Sequence, residues 1–272
     1  MGEVRLAALR LNLRHQLMSR IEQLSSVTAV SMADEWFKYA TADHFWMQWR
    51  HEILVRQLTR IARPINRALD VGCGHGIVRQ LVEHDLGFAV DGCDLNRNAL
   101  EMAADGKGRL LVYDIFDRDP GLLEAYDLIL LMDVIEHVDD DIGFLNTSLE
   151  HLKPGGIVAL NVPAHMALYG KYDEVLGHKR RYNIPRIEWL FRQANIERLS
   201  ITPWGLSLLP LLFARKIVLR FVSPERIVHT GFAEQNAVTG GFLRAIRRLE
   251  LSAPCPMPNG TSLMALGIRS KS

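Results

Sequence analysis

Three glycines at alternate positions, Gly72, Gly74 and Gly76, follow a short apolar run that ends in Asp70. Glycine at such a turn tolerates positive φ and lets a ligand approach the backbone closely. From Ile77 to Glu83 the apolar residues fall at helical spacing, so the stretch reads as strand, tight turn and helix start. That order builds a nucleotide-binding corner. The spacing Asp-x-Gly-x-Gly-x-Gly departs from the Gly-x-Gly-x-x-Gly of a pyrophosphate cradle, which counts against a nicotinamide-dependent oxidoreductase. An acidic residue about 20 positions past the turn can accept both ribose hydroxyls. Asp94 ends the next apolar run and takes that place, whereas Asp91 comes too early in it.

The same logic extends to the following runs. Arg109–Tyr113 ends at Asp114, and Asp127–Met132 ends in Asp133-Val-Ile-Glu-His-Val138. Four successive strands thus finish in a polar group, and open parallel sheets bind ligands outside the carboxyl ends of their strands. The alternative is that these acids only cap the helices behind them. Further strands are expected near 156–162, 197–202 and 261–268, the last antiparallel to its neighbours. The fold expected is therefore α/β, a Rossmann-like seven-stranded, mostly parallel sheet with helices on both faces. Leu6, Leu9, Leu13, Leu17, Ile21 and Leu24 form a helical stripe over about 4–25, read as a helix packed on the main domain or on a second copy of the chain, with a membrane contact as the alternative. The aromatic-rich segment 34–50 reads as a core-packing helix that also supplies a lid. The stretch 205–260, between the sixth and seventh strands, is too long for a hairpin loop and must fold as a helical insert. Within it, Leu206–Val222 is apolar with Arg215, Lys216 and Arg220 on one side. Such a helix packs inward, lies in a membrane interface or covers a greasy substrate.

A net charge of +1 supplies no long-range attraction to nucleic acid. The three cysteines, Cys73, Cys93 and Cys255, lack metal-ligand spacing and suit a reducing cytoplasm. Charges at Glu3, Arg5, Arg10 and Arg14 are too dense for a signal peptide, and no run is expected to span a membrane.

Asp70-Val-Gly-Cys-Gly and Asp133-Val-Ile-Glu-His-Val resemble class I S-adenosylmethionine-dependent methyltransferases, in particular the ubiquinone-biosynthesis O-methyltransferase type and its bacterial relatives, over roughly 34–200. The resemblance implies S-adenosyl-L-methionine as cofactor, held by Arg50, Asp70, Gly72, Gly74, Asp94, Leu95, Asp114, Ile115 and Met132. In that reading Arg50 pairs with the methionine carboxylate, Asp114 reads the adenine amino group, and Met132 packs on adenine. It also implies a division into a helical segment and lid (1–60), a cofactor-binding core (61–204), the helical cap (205–260) and a last strand (261–272). The acceptor expected is a small or lipid-like molecule methylated on a hydroxyl, with nitrogen or carbon as alternative atoms and a non-catalytic binding subunit as a further alternative. Peripheral contact with a membrane and a homodimer are also expected partners.

Those quinone enzymes carry Glu-x-x-Glu-His, implicated in holding magnesium; the matching residues here are Asp133, Glu136 and His137. Three readings stand: His137 as general base or orienting group, the trio as metal ligands, or a helix cap. His178 is the second candidate base. The string Asp173-x-x-x-Gly-His-x-Arg-Arg-Tyr182 resembles bacterial methyltransferases of polysaccharide, lipid or secondary-metabolite pathways, and it implies substrate contacts from Tyr169, Asp173, Arg181 and Tyr182.

Overall fold

The computed structural model describes residues 20–26, 37, 40–222, 227, 237–253 and 257–271. Its strands are β1 (Ile21–Gln23), β2 (Arg67–Val71), β3 (Ala89–Asp94), β4 (Leu110–Val112), β5 (Tyr126–Met132), β6 (Leu152–Pro163), β7 (Ile196–Trp204) and β8 (Ser262–Arg269). They form one sheet in the order β1-β4-β3-β2-β5-β6-β8-β7. Every pairing is parallel except those of β8, which runs antiparallel to β6 and β7. The order reverses between β2 and β5, so a crevice opens above their carboxyl ends.

Period-two alternation sorts the strand residues onto two cores. Along β5, Ile129 and Leu131 join one cluster, with Leu145, Leu190 and Phe191; Leu128, Leu130 and Met132 join the other, with Trp49, Leu54 and Val82. The helices on the first face are α4 (Asp141–Glu150) and α6 (Ile184–Gln193), and those on the second are α1 (Phe45–Leu58), α2 (Ile77–Leu86) and α8 (Ala237–Leu251). Short helices α3 (Arg97–Glu101) and α5 (Lys171–Leu176) follow β3 and β6, and α7 (Leu209–Val218) follows β7.

Among the described residues the sheet has eight strands, not seven. The extra one falls where the apolar stripe of 4–25 predicts helix: Ile21–Gln23 pairs in parallel with Leu110–Val112 instead. Leu24 and Ser25 extend this by donating their amides to the Val112 carbonyl at 3.0 and 3.1 Å. Three residues are too few to show a strand period, and the open edge of β4 supplies the partners that local spacing cannot reveal. Residues 1–19 of that stripe lie outside the described residues. The insert carries α7 and α8 as expected. Glu250 on α8 accepts amides of Gly205 (2.6 Å) and Ser207 (3.0 Å), so one carboxylate fixes the turn that launches α7.

Candidate active site

The glycine turn lies in the crevice between β2 and α2. Gly72, Gly74 and Gly76 all have positive φ (69°, 54° and 74°). A Cβ at Gly72 would sit 2.5 Å from Val134 Cγ2, and one at Gly74 would sit 2.8 Å from the Phe37 ring. The turn therefore excludes side chains for two reasons, backbone conformation and close approach. The Asp94 carboxylate accepts the Gly74 amide at 2.7 Å and the Asn96 amide at 2.8 Å, which locks the turn to the end of β3. Burial pushes this carboxyl up from the usual range, against the opposing pull of those amides.

Around the turn runs a cavity of about 530 Å³. All nine residues that the resemblance assigns to the cofactor line it: Arg50, Asp70, Gly72, Gly74, Asp94, Leu95, Asp114, Ile115 and Met132. The cradle that a Cβ would fill and the acid at the β3 end fit a nucleoside ligand that lacks phosphate. Asp70 adds a buried carboxyl whose Oδ2 has no hydrogen-bond partner. Burial raises it to about 7, even though Arg50 pulls it the other way. Such an orphaned acid suits a cationic group arriving with the ligand.

Arg50, on α1, donates to the Asp133 carboxylate. Asp133 also accepts the Asn161 side-chain amide at 2.6 Å, and its backbone is left-handed at φ 61°. Trp204 in turn donates to Asn161 Oδ1 at 3.0 Å. The chain thus orients Arg50 from β5, β6 and β7 together. Only the sheet register brings Asn161 and Trp204 beside Asp133, so no local sequence signal marks them as part of this support.

Those bonds remove Asp133 from the metal-ligand trio. What the structure brings together instead is Glu136, His137 and His178, with potential ligand atoms within 4.8 Å of one another. One carboxylate and two imidazoles do not fit magnesium, which favours oxygen ligands and retained water. Glu136 is fully buried, and its carboxyl oxygens find no partner in another residue. Burial and the nearby Asp133 raise its carboxyl well above the usual carboxylate range. His137 and His178 meet edge to face with centroids 4.8 Å apart. Burial, then His178, press His137 down to about 4.

The loop after β6 explains this arrangement. Gly177 takes φ 77° and turns the chain back at the end of α5. His178 Nδ1 then lies 2.9 Å from Asp173 Oδ1, which also accepts Arg181 Nε at 2.8 Å. Burial alone would raise Asp173, but His178 and Arg181 outweigh it and hold the carboxyl below its usual range. Lys179 closes the loop by donating its amide to the Glu136 carbonyl at 2.7 Å.

Of the four expected substrate contacts, Arg181 lines the cavity and three do not. Asp173 is sealed at 1% exposure behind His178. Tyr169 donates its hydroxyl to the His178 carbonyl at 2.8 Å. Tyr182 is a core residue, its hydroxyl bonded to the Ile135 carbonyl and the Asp141 carboxylate at 3.2 and 3.3 Å. These three hold the loop's shape, a role that short-range spacing does not separate from ligand contact. Conversely, Leu208, Leu211, Leu212 and Arg215 from the cap all line the cavity. Their apolar run was the one available signal.

Fold and site together are those of a methyltransferase domain. The chain belongs to the methyltransferase-domain family, whose model matches residues 32–201. It is 36% identical over 101 residues to the ubiquinone biosynthesis O-methyltransferase of Burkholderia vietnamiensis, covering 34% of this chain and 42% of that one. The enzyme of the same name from Caulobacter vibrioides is 38% identical over 96 residues, covering 33% and 38%. The match thus spans about two-fifths of these relatives' length. Among solved structures, a methyltransferase in complex with a methyltransferase activator of Haloferax volcanii superposes with a TM-score of 0.59 at 17% identity, over 89% of this chain and all of that one. Haemonchus contortus phosphoethanolamine N-methyltransferase 2 bound to S-adenosyl-L-methionine gives 0.51 at 17% identity, over 82% and 53%. At these identities the structural likeness speaks for the fold alone.

Proposed function

We propose that this protein methylates a hydroxyl oxygen of a small or lipid-like acceptor, and that His178 takes the proton. The observation that carries this reading is a cavity that runs from the glycine turn to an imidazole backed by a buried carboxylate. S-adenosylmethionine, when bound, supplies a methyl group already activated on a sulfonium, so the protein's task is positioning and proton removal. Asp94 and Gly74 would hold the ribose end, Arg50 the carboxylate, and Asp70 the cationic amino-acid end. A hydroxyl gains nucleophilicity as it loses its proton, which a neutral imidazole at the cavity wall can accept. With Nδ1–H donated to Asp173, His178 Nε2 is the free acceptor. His137, pressed to about 4, is too weak a base and serves better as a neutral wall. Glu136, whose burial disfavours ionisation, would in its protonated form donate a hydrogen bond to an acceptor oxygen. Ubiquinone-type phenols, glycans and secondary metabolites all present a suitable hydroxyl.

Incubating the protein with radiolabelled S-adenosylmethionine and lipid, phenolic and glycan fractions of a bacterial extract tests this. The label is expected in a methyl ether. Label found only on amine nitrogen or carbon would overturn the oxygen assignment.

Asp70 gives a second expectation, in pH. A carboxyl raised to about 7 in the folded protein is neutral below that pH. Its contribution to stability is present in full below the unfolded-chain value near 4 and is lost as pH rises through about 7. The cofactor-free protein should therefore melt lower at about pH 8 than at about pH 6, and Asp70→Asn should flatten that fall. A thermal scan across this range checks it; an unchanged slope in the variant would place the titrating group elsewhere.

A further inference from the structure

The cap helix α7 and the 3-10 turn behind it, Leu219–Phe221, show two apolar faces. Leu208, Leu212, Arg215 and Leu219 recur at steps of three and four residues and point inward: Leu208 and Leu219 are buried, and Leu208, Leu212 and Arg215 line the cavity. The outer side carries Phe213, Ile217 and Phe221, flanked by Leu211 and Val218, all substantially exposed, with Phe221 at 87% and Ile217 at 58%. Met166, exposed at 56%, sits on the 3-10 turn that α7 packs against. A single exposed apolar residue needs no explanation, but four on one ten-residue helix and a fifth on the turn behind it do.

Within the cap segment itself the charges have one sign. Between Gly205 and Val222 there are three cations, Arg215, Lys216 and Arg220, and no acid. Arg220 is exposed, and Lys171, also exposed, donates its amine to the Arg220 carbonyl at 3.1 Å. Lys216 donates to the Ala167 carbonyl at 2.6 Å, which anchors the helix to the protein beneath it. We propose that this face docks on a lipid bilayer bearing anionic headgroups, with the apolar side chains in the acyl boundary and Lys171 and Arg220 at headgroup level. Among the described residues no helix is long and apolar enough to cross a membrane, so the helix lies on the surface. A second copy of the chain is the poorer occupant, because a two-fold contact would set the same cations against each other. Leu211 belongs to both faces, exposed outside and lining the cavity within, so a membrane-borne acceptor would enter the site beside it. This deepens the lipid-like acceptor of the proposed function and rests on it only for that last step; docking itself is read without turnover.

The test is co-sedimentation of the full chain with vesicles of phosphatidylcholine alone or mixed with phosphatidylglycerol. Binding is expected with the mixed vesicles and should weaken as salt screens the cations. Ile217→Ser with Phe221→Ser should lower the partition coefficient by about tenfold or more, as two side chains are withdrawn from hydrocarbon. Lys171→Glu with Arg220→Glu should abolish the preference for the anionic lipid. None of these four residues lines the cavity, so unchanged binding of S-adenosylmethionine by calorimetry certifies each variant as folded. Absence of vesicle binding, or wild-type binding by the serine variant, would overturn the proposal. So would a lipid-free dimer in light scattering that the serine variant dissolves, since that would assign the face to a second copy. Vesicle binding without any methyl transfer to oxygen would instead leave the docking standing and remove the acceptor reading.

Discussion

His178→Ala is expected to lower turnover by about 10²–10⁴-fold while the affinity for S-adenosylmethionine stays near wild type. The imidazole stands at the cavity wall and makes none of the contacts that fix the glycine turn. Asp173→Asn should cost a similar factor in kcat with little change in KM, because an asparagine can present its amide N–H to Nδ1 and so favour the wrong tautomer. The same carboxylate also holds Arg181, so Arg181→Lys is the control for a loop that has merely loosened. His137→Ala should fall less than His178→Ala, since burial has already removed most of its basicity. Single-turnover rates with the acceptor identified by labelling, alongside cofactor calorimetry, decide the matter. Full activity in His178→Ala would discard the base assignment. Activity lost to a chelator and restored by a divalent cation would turn Glu136, His137 and His178 into a ligand set instead.

The parts of this site legible in the sequence are those whose cause is local. Alternating glycines announce a turn because only glycine takes three positive φ angles so close together, and apolar runs of five to seven residues announce buried strands. Each strand's polar terminus then falls at one sheet edge, which is why Asp70, Asp94, Asp114 and Asp133 all reach one cavity. The parts missed depend on long-range partners. Asp133 lies 83 positions from Arg50, and nothing near it in sequence marks it as that arginine's counter-ion rather than a metal ligand. The tract from Asp173 to Tyr182 mixes polar residues that look alike as candidates. The left-handed turn at Gly177 decides which ones face the cavity, placing His178 there and sending Asp173 behind it. Tyr182 shows how a polar tip misleads: its hydroxyl is satisfied inside the core.

For Asp94→Ala, the expected result is a loss of roughly 1.5–3 kcal/mol in cofactor binding, about ten- to hundredfold in Kd. Two effects add. The carboxylate is the one acid at the β3 end placed to accept ribose hydroxyls, and hydrogen bonds to a charged acceptor are the strong ones. It also accepts the Gly74 and Asn96 amides, so alanine frees a turn whose shape leaves no room for error against Val134 and Phe37. Asp94→Asn separates the two. Its side-chain oxygen can still take one backbone amide, so the turn stays partly pinned while the charge is lost. If ribose contact dominates, asparagine and alanine should weaken binding almost equally; if the turn dominates, asparagine should recover most of the affinity. Calorimetry with S-adenosylmethionine, with melting curves as the folding control, reads both variants. A folded Asp94→Ala protein that binds as tightly as wild type would move the ribose site away from the end of β3.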